Sequence, residues 1–88
     1  MNIAFSKILK ISERNLEFNF RKLPADYQSY YVDVTDEAGQ RIIFSIYQSS
    51  DSVWRCTGNR LPMWIAACEA MLGQVIEETV YQERIVKS

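Results

Sequence analysis

The side chains of this sequence that could carry out chemistry are a small group of carboxylates, a serine-rich loop and two cysteines. Asp33, Asp36 and Glu37 lie close together around a predicted hairpin, and three oxygen-bearing side chains can in principle hold a hard cation. Their spacing matches no calcium-binding loop, however, and acidic residues are common in turns of this kind. We therefore interpret them as solvated turn residues and predict no metal site.

The sequence also lacks the groups that normally activate a nucleophile. It contains no histidine, the usual general base at neutral pH and the usual partner of a catalytic cysteine. The serines of loop 49–52 are not part of a G-x-S-x-G motif. Cys56 and Cys68 have no CxxC spacing, and we expect them to be reduced and buried, with a disulfide or redox pair as the alternative. We predict no catalytic residue, no cofactor and no enzymatic activity.

Length and charge set further bounds on the function. The 88 residues are expected to form one domain, spanning 1–88, with a small core and a thin stability margin. Ten basic and eleven acidic residues give a net charge of -1, so no long-range field attracts the chain to nucleic acid or to anionic lipid. The first ten residues contain no run long enough for a signal-peptide core or a membrane span. We expect no membrane association and a cytoplasmic location.

The elements that must position any functional side chain follow from hydrophobic periodicity. From Leu16 onward, apolar and polar residues alternate with a period of two through four segments, so residues 16–57 are predicted to form an antiparallel β-meander with one apolar face. Helical spacing from Leu61 to Tyr81 predicts one long C-terminal helix over 61–82. Residues 1–14 are read as a short N-terminal helix, although Ile3, Phe5, Leu9 and Ile11 also fit a strand.

The predicted fold is therefore α+β. It is a four-stranded antiparallel meander sheet with one face covered by the long C-terminal helix and by the short N-terminal helix. The strands should contribute seven core residues and the helix four, namely Phe18, Phe20, Val32, Val34, Phe44, Ile46, Trp54, Ile65, Cys68, Leu72 and Val75.

The predicted C-terminal helix has a second face made mostly of small residues. Met63, Ala66, Ala67, Ala70 and Gly73 lie opposite the bulky stripe, and small side chains let another helix approach closely. Exposed alanine, the best helix former, would give the same pattern. We predict that this face is the dimer interface of a homodimer.

The sheet face that the helices leave uncovered offers a second surface. Tyr31, Ile43, Tyr47, Val53 and Arg55 are predicted to lie there. The face is neutral overall and carries two tyrosines, and interface cores are depleted in charge and enriched in aromatic residues. We predict that these residues bind an unknown protein or peptide. The expected function is a small non-enzymatic binding or assembly module that acts as a homodimer.

The predicted element order resembles two kinds of known protein. A curved four-stranded sheet followed by a helix is similar to the Whirly and Pur single-stranded nucleic-acid-binding domains, and this resemblance implies the alternative function. It is disfavoured because Arg21 and Arg55 on the outer face are offset by Glu17 and Asp33. A helix, a meander and a long helix also resemble small bacterial chaperones that hold secretion substrates as dimers.

Overall fold

A single antiparallel sheet forms one layer of the molecule. The computed structural model describes residues 3–23 and 28–87, with side chains described as far as Val80. Five strands and two helices follow in chain order: β1 (Ala4–Ile11), β2 (Arg14–Lys22), β3 (Ser29–Thr35), β4 (Arg41–Gln48), β5 (Trp54–Thr57), α1 (Met63–Ala66) and α2 (Glu69–Lys87). The sheet order is β1-β2-β3-β4-β5, so each strand pairs with its neighbours in sequence. The predicted α+β meander with a C-terminal helix is confirmed, with one strand more.

The predicted N-terminal helix is not what the structure shows, because its described part is strand β1. Phe5 pairs with Phe20 and Leu9 pairs with Leu16, so the apolar residues of β1 extend the inner face of the sheet. The two turn residues, Ser12 and Glu13, have φ values of 48° and 67°, as a type I′ hairpin requires. Ser-Glu is not the usual sequence of such a turn, and this explains why the hairpin was missed.

The C-terminal helical region is also less regular than predicted. Residues 61–82 were expected to form one helix, but α1 and α2 are separate, and α2 runs on to Lys87. At the break, the Cys68 amide donates to the Ile65 carbonyl at 2.9 Å, three residues back, whereas the Leu72 amide donates to the Cys68 carbonyl four residues back. This tighter turn separates α1 from α2.

The core lies between the inner sheet face and the two helices. The structure buries all seven predicted core residues of the sheet, together with Ile65, Cys68 and Leu72 of the helical region. Val75 is only half-buried, and Ile76, at 1% exposure, takes its place. Trp64 packs edge-on against Phe18, with ring centroids 6.5 Å apart. Burial of these apolar side chains is the main favourable term that holds the two layers together.

Candidate docking surface on the uncovered sheet face

The outer face of the sheet is set by the same alternation that builds the core. In β3, the buried residues Tyr30, Val32 and Val34 alternate with residues that point away from the helices, and β4 shows the same pattern. The five residues predicted to bind a partner all belong to the exposed class: Tyr31, Ile43, Tyr47, Val53 and Arg55. No described element covers this side of the sheet.

Three of these residues form a continuous patch, which we call the outer patch: Tyr31, Ile43 and Tyr47. Tyr31 pairs with Ser45, which places it diagonally between Ile43 and Tyr47, two residues to either side on β4. Their exposed fractions are 47%, 44% and 37%, large values for apolar and aromatic side chains. Isolated exposed apolar residues need no explanation, but contiguous ones mark candidate interaction sites.

Two arginines border the outer patch on opposite sides. Arg21 of β2 lies directly across from Tyr31, and Arg55 of β5 lies directly across from Tyr47. Arg55 also has Asp51 within 3.7 Å. Both arginine side chains are exposed, so the patch has an apolar centre with basic groups at its margin.

A hydrogen-bonded polar network adjoins the outer patch and was not predicted from the sequence. Ser6 Oγ donates to Asn19 Oδ1 at 2.6 Å, and Asn19 Nδ2 donates to Asp33 Oδ1 at 2.7 Å. Arg41 Nη2 donates to Asp33 Oδ2, also at 2.7 Å. Thr35 pairs with Arg41, so Arg41 reaches Asp33 along the diagonal. Strand β1 was needed to place Ser6 here, and β1 had been predicted as helix.

The network fixes the charge of Asp33. Partial burial alone would raise the pKa of this carboxyl, but hydrogen bonds from Arg41 and Asn19, with the positive charge of Arg41, outweigh it and hold the pKa below its ordinary value. Asp33 is therefore an ionised and paired acceptor at neutral pH. Arg41 stays charged but is paired with Asp33, so the two together add no net charge to this part of the outer face.

The carboxylates considered as a cation site each have a separate structural partner. Asp36 Oδ1 accepts from the amides of Ala38 at 3.0 Å and Gln40 at 2.8 Å, as in an Asx turn. Glu37 forms an ion pair with Arg14 of the neighbouring hairpin. Within residues 3–23 and 28–87, no three acidic, cysteine or histidine residues converge as metal ligands would.

The serine-rich loop is likewise organised by its own hydrogen bonds. Ser49 Oγ donates to Asp51 Oδ1, and the Val53 amide donates to the same oxygen at 3.1 Å. These two donors lower the pKa of Asp51. The loop therefore stabilises the β4–β5 turn and presents Val53, 43% exposed, at the end of the outer face.

Both cysteines are free and lie in apolar surroundings. Cys68 is buried and Cys56 half-buried. Burial, followed by the charge of Glu69 and the neighbouring Cys68, raises the pKa of Cys56 to about 12, and burial also raises the pKa of Cys68. Thiols with raised pKa values react slowly, so neither has the character of a nucleophile.

Only part of the predicted dimer interface is exposed in the structure. Met63 is 87% exposed, and Ala66, Ala67 and Ala70 are exposed as well. Gly73 is a correction, because it is buried against the side chain of Trp54. A glycine inside a helix is unfavourable relative to alanine. Its presence in the predicted helix was therefore a signal that another part of the protein packs closely against the backbone at Gly73.

Comparisons with known proteins add no relative. Protein-family models, curated sequences and solved structures were all searched, and no match to this chain was found. Within the described residues, no helix combines the length and apolar character that crossing a bilayer requires.

Proposed function

We propose that this chain is a non-enzymatic protein-binding module that docks a partner protein on the outer face of its sheet. The observation that carries the proposal is the outer patch, in which Tyr31, Ile43 and Tyr47 remain 37–47% exposed although the sheet has a well-filled core on its other side. An aromatic side chain offers a large contact area with few rotatable bonds.

The charges around the outer patch indicate what kind of partner fits. Arg21 and Arg55 stand at its margin, whereas the charge of Asp33 is already neutralised by Arg41 at 2.7 Å. A complementary surface would present apolar groups at its centre and carboxylates at its rim. Rim charges of this type act mainly on association rate and specificity.

The homodimer predicted from the sequence stays part of the proposal, now with a smaller surface. Met63, Ala66, Ala67 and Ala70 are the exposed residues of the predicted interface, and we call them the helix ridge. Ala70 lies at its end, beside Val53 and Trp54. Self-association there would leave the outer patch free for the partner. A chaperone role is one form of such a module. The resemblance to small chaperones is weaker than the sequence indicated, because it included an N-terminal helix and the structure has strand β1 there.

Single-stranded nucleic acid is the second candidate, and Arg41 gives it one additional observation. The outer face carries Arg41 as well as Arg21 and Arg55, and tyrosines can stack on bases. However, Asp33 takes up the charge of Arg41, and Arg55 has Asp51 nearby. We therefore place this function second.

Tyr47→Asp tests both candidates, with Thr35→Asp as the matched control. Thr35 is exposed at the end of β3 and pairs with Arg41, away from the outer patch. In a cross-linking experiment, we expect wild type and Thr35→Asp to capture the same partner protein and Tyr47→Asp to fail to capture it. That protein, once purified, should bind Tyr47→Asp more weakly by ~2 kcal/mol or more.

Fluorescence anisotropy with labelled oligo-dT at two salt concentrations completes the test. Suppose that wild type binds oligo-dT in a salt-sensitive way, that Tyr47→Asp abolishes this binding, and that Tyr47→Asp still binds the purified protein as wild type does. The protein-binding proposal would then be rejected in favour of the nucleic-acid function.

A further inference from the structure

The two edges of the sheet differ in whether their outward backbone groups are occupied. On β5, the Ser49 amide donates to the Val53 carbonyl at 2.9 Å. By the alternation of an antiparallel ladder, Arg55 and Thr57 bond to β4 through their backbone groups, whereas the backbone amides and carbonyls of Trp54 and Cys56 point away from β4. The outward amide of Cys56 is taken by Glu69 Oε2 of α2, which accepts its hydrogen bond at 2.9 Å. Helix α2 thus blocks the β5 edge.

The β1 edge has no such cover among the described residues. The Lys22 amide donates to the Ile3 carbonyl at 2.8 Å, and this fixes the alternation along β1. Every second residue after Ile3 bonds to β2, and the residues between them direct their amide and carbonyl groups away from the sheet. The outward-directed residues are Ala4, Ser6, Ile8 and Lys10.

The side chains of β1 give this open edge a definite chemistry. Ile8 is 66% exposed. Lys7 pairs with Phe18 on the inner face and Lys10 pairs with Asn15 on the outer face, while β1 contains no acidic residue. Neither lysine forms an ion pair within the described part of the chain. Strand β1 itself is therefore positively charged on both faces, with an apolar group between the charges. The acidic residue nearest to this group is Glu17 of β2, which pairs with Ile8 on the side away from the open edge.

We propose that the β1 edge accepts an extended acidic segment of a partner protein as a sixth, antiparallel strand. Backbone hydrogen bonds to the outward residues would supply affinity, and side chains opposite Lys7, Ile8 and Lys10 would supply specificity. The partner segment is expected to carry carboxylates opposite both lysines and an apolar residue opposite Ile8. This surface is distinct from the outer patch.

A second copy of this chain fits the same edge poorly. Antiparallel pairing of β1 with β1 would bring two Lys7 and two Lys10 side chains to one seam without a carboxylate from either strand. Lysines on edge strands are a common means of preventing such self-pairing. The charge that opposes a second copy favours an acidic strand.

A synthetic peptide serves as the probe. Read antiparallel to residues 11 to 4, the sequence Val-Glu-Val-Val-Glu-Thr-Val-Thr places glutamates opposite Lys10 and Lys7 and a valine opposite Ile8. The control peptide replaces both glutamates by lysine. By fluorescence anisotropy at low salt with the full chain, we expect the acidic peptide to bind at least about tenfold more tightly than the basic one, and to weaken as salt is raised.

Two variants of Ile8 separate the backbone contact from the side chain. Ile8→Pro removes an outward amide without removing a bond to β2, and proline is tolerated at such edge positions. Ile8→Thr keeps the amide and the β-branched shape. We expect Ile8→Pro to weaken peptide binding by about tenfold or more and Ile8→Thr by less than about threefold. Tyr47→Asp should leave peptide binding unchanged, which separates this edge from the outer patch.

A charge reversal keeps the proposal testable if Ile8→Pro does not fold. The double variant Lys7→Glu, Lys10→Glu should exchange the preference, so that the basic peptide binds more tightly. Equal binding of both peptides by wild type, or full binding by folded Ile8→Pro, would overturn the proposal. Sedimentation that shows a dimer dissociated by Ile8→Pro would also overturn it, because a second copy would then occupy the edge.

Discussion

Gly73 of α2 packs directly against the indole ring of Trp54 at the start of β5. A Cβ atom placed on Gly73 would overlap Cβ, Cγ and Cδ1 of the tryptophan, so the absence of a side chain at Gly73 is what allows the helix to approach this closely. Trp54 is 8% exposed, and its Nε1 finds no hydrogen-bond partner among the described residues. Shape rather than hydrogen bonding thus accounts for this contact between the layers.

Gly73→Ala should destabilise the protein although alanine is the better helix former. Propensity alone favours alanine by ~1 kcal/mol, but overpacking against Trp54 is expected to lower the free energy of unfolding by ~1–3 kcal/mol net. Urea denaturation followed by circular dichroism measures the difference. Gln74→Ala, at the exposed neighbour, is the control and should change stability by less than ~0.5 kcal/mol.

A double-mutant cycle shows whether Trp54 is the cause. In a Trp54→Leu background, the smaller side chain leaves space, so Gly73→Ala should lose most of its penalty or become stabilising. An unchanged penalty in that background would mean that another contact limits the approach of α2.

The raised thiol pKa values predict slow alkylation of the native protein. With a pKa of about 12 for Cys56, raised chiefly by burial, the thiolate fraction at about pH 8 is small. Iodoacetamide should therefore modify Cys56 more slowly by about two orders of magnitude or more than in urea. Cys68, whose pKa is also raised by burial, should likewise react more slowly in the native protein than in urea. Mass spectrometry of tryptic peptides reads out each site separately.

Glu69→Gln provides the matched variant for this labelling. It removes the negative charge that helps raise the pKa of Cys56 and keeps an oxygen to accept the Cys56 amide. Labelling of Cys56 should become faster while that of Cys68 stays unchanged. Because the folded pKa lies above the ordinary 9.0, the protonated thiol stabilises the fold below about pH 9, and this contribution is lost as the pH rises towards 12.

The polar network on the outer face predicts a contribution to acid stability. The folded pKa of Asp33 is lowered from 3.8, so its ionised form stabilises the fold above about pH 4, and this contribution is lost as the pH falls through the folded pKa. Arg41→Gln should raise the carboxyl pKa of Asp33 in an NMR titration and reduce this loss. If the carboxyl resonance of Asp33 titrates identically in both proteins, Arg41 does not stabilise the carboxylate.

The helix ridge predicts a homodimer that one charge should disrupt. Ala70→Arg places a long cation on the exposed ridge with Met63 and Ala66, so we expect monomers by light scattering at tens of micromolar, where wild type is dimeric. Thr35→Arg, on the sheet layer, is the control and should remain dimeric. A monomeric wild type at that concentration would exclude this interface.

Periodicity predicted the part of the fold in which local pattern and tertiary environment agree. The alternation around Phe18, Val32 and Phe44 identified three strands and their buried faces, because one side of each strand packs on the helices. The same alternation placed Tyr31 and Tyr47 on the outer face, where the structure has them.

The predictions were wrong where the local sequence pattern does not reflect the position of a residue in the folded protein. Lys7 interrupts the apolar alternation of β1, but an edge strand tolerates an inward lysine that can reach solvent. The Ser12-Glu13 turn adopts positive φ values without glycine or asparagine, so no turn signal separated β1 from β2. Gly73 was assigned to the outer face of the helix on the basis of one continuous helix, and side-chain periodicity revealed neither the break before α2 nor the contact of Gly73 with Trp54.

The sheet order has a consequence for how the chain folds. Each strand pairs with the one synthesised just before it, and the longest connection between consecutive strands is six residues, 23–28. Few long loops must close before native pairs form, so the entropic barrier is small for a protein with this much sheet. During synthesis, the hairpin of β1 and β2 can form before β3 emerges, and each later strand can add to an existing edge. Helix α2, which follows all five strands in the chain, closes the β5 edge when Glu69 reaches Cys56.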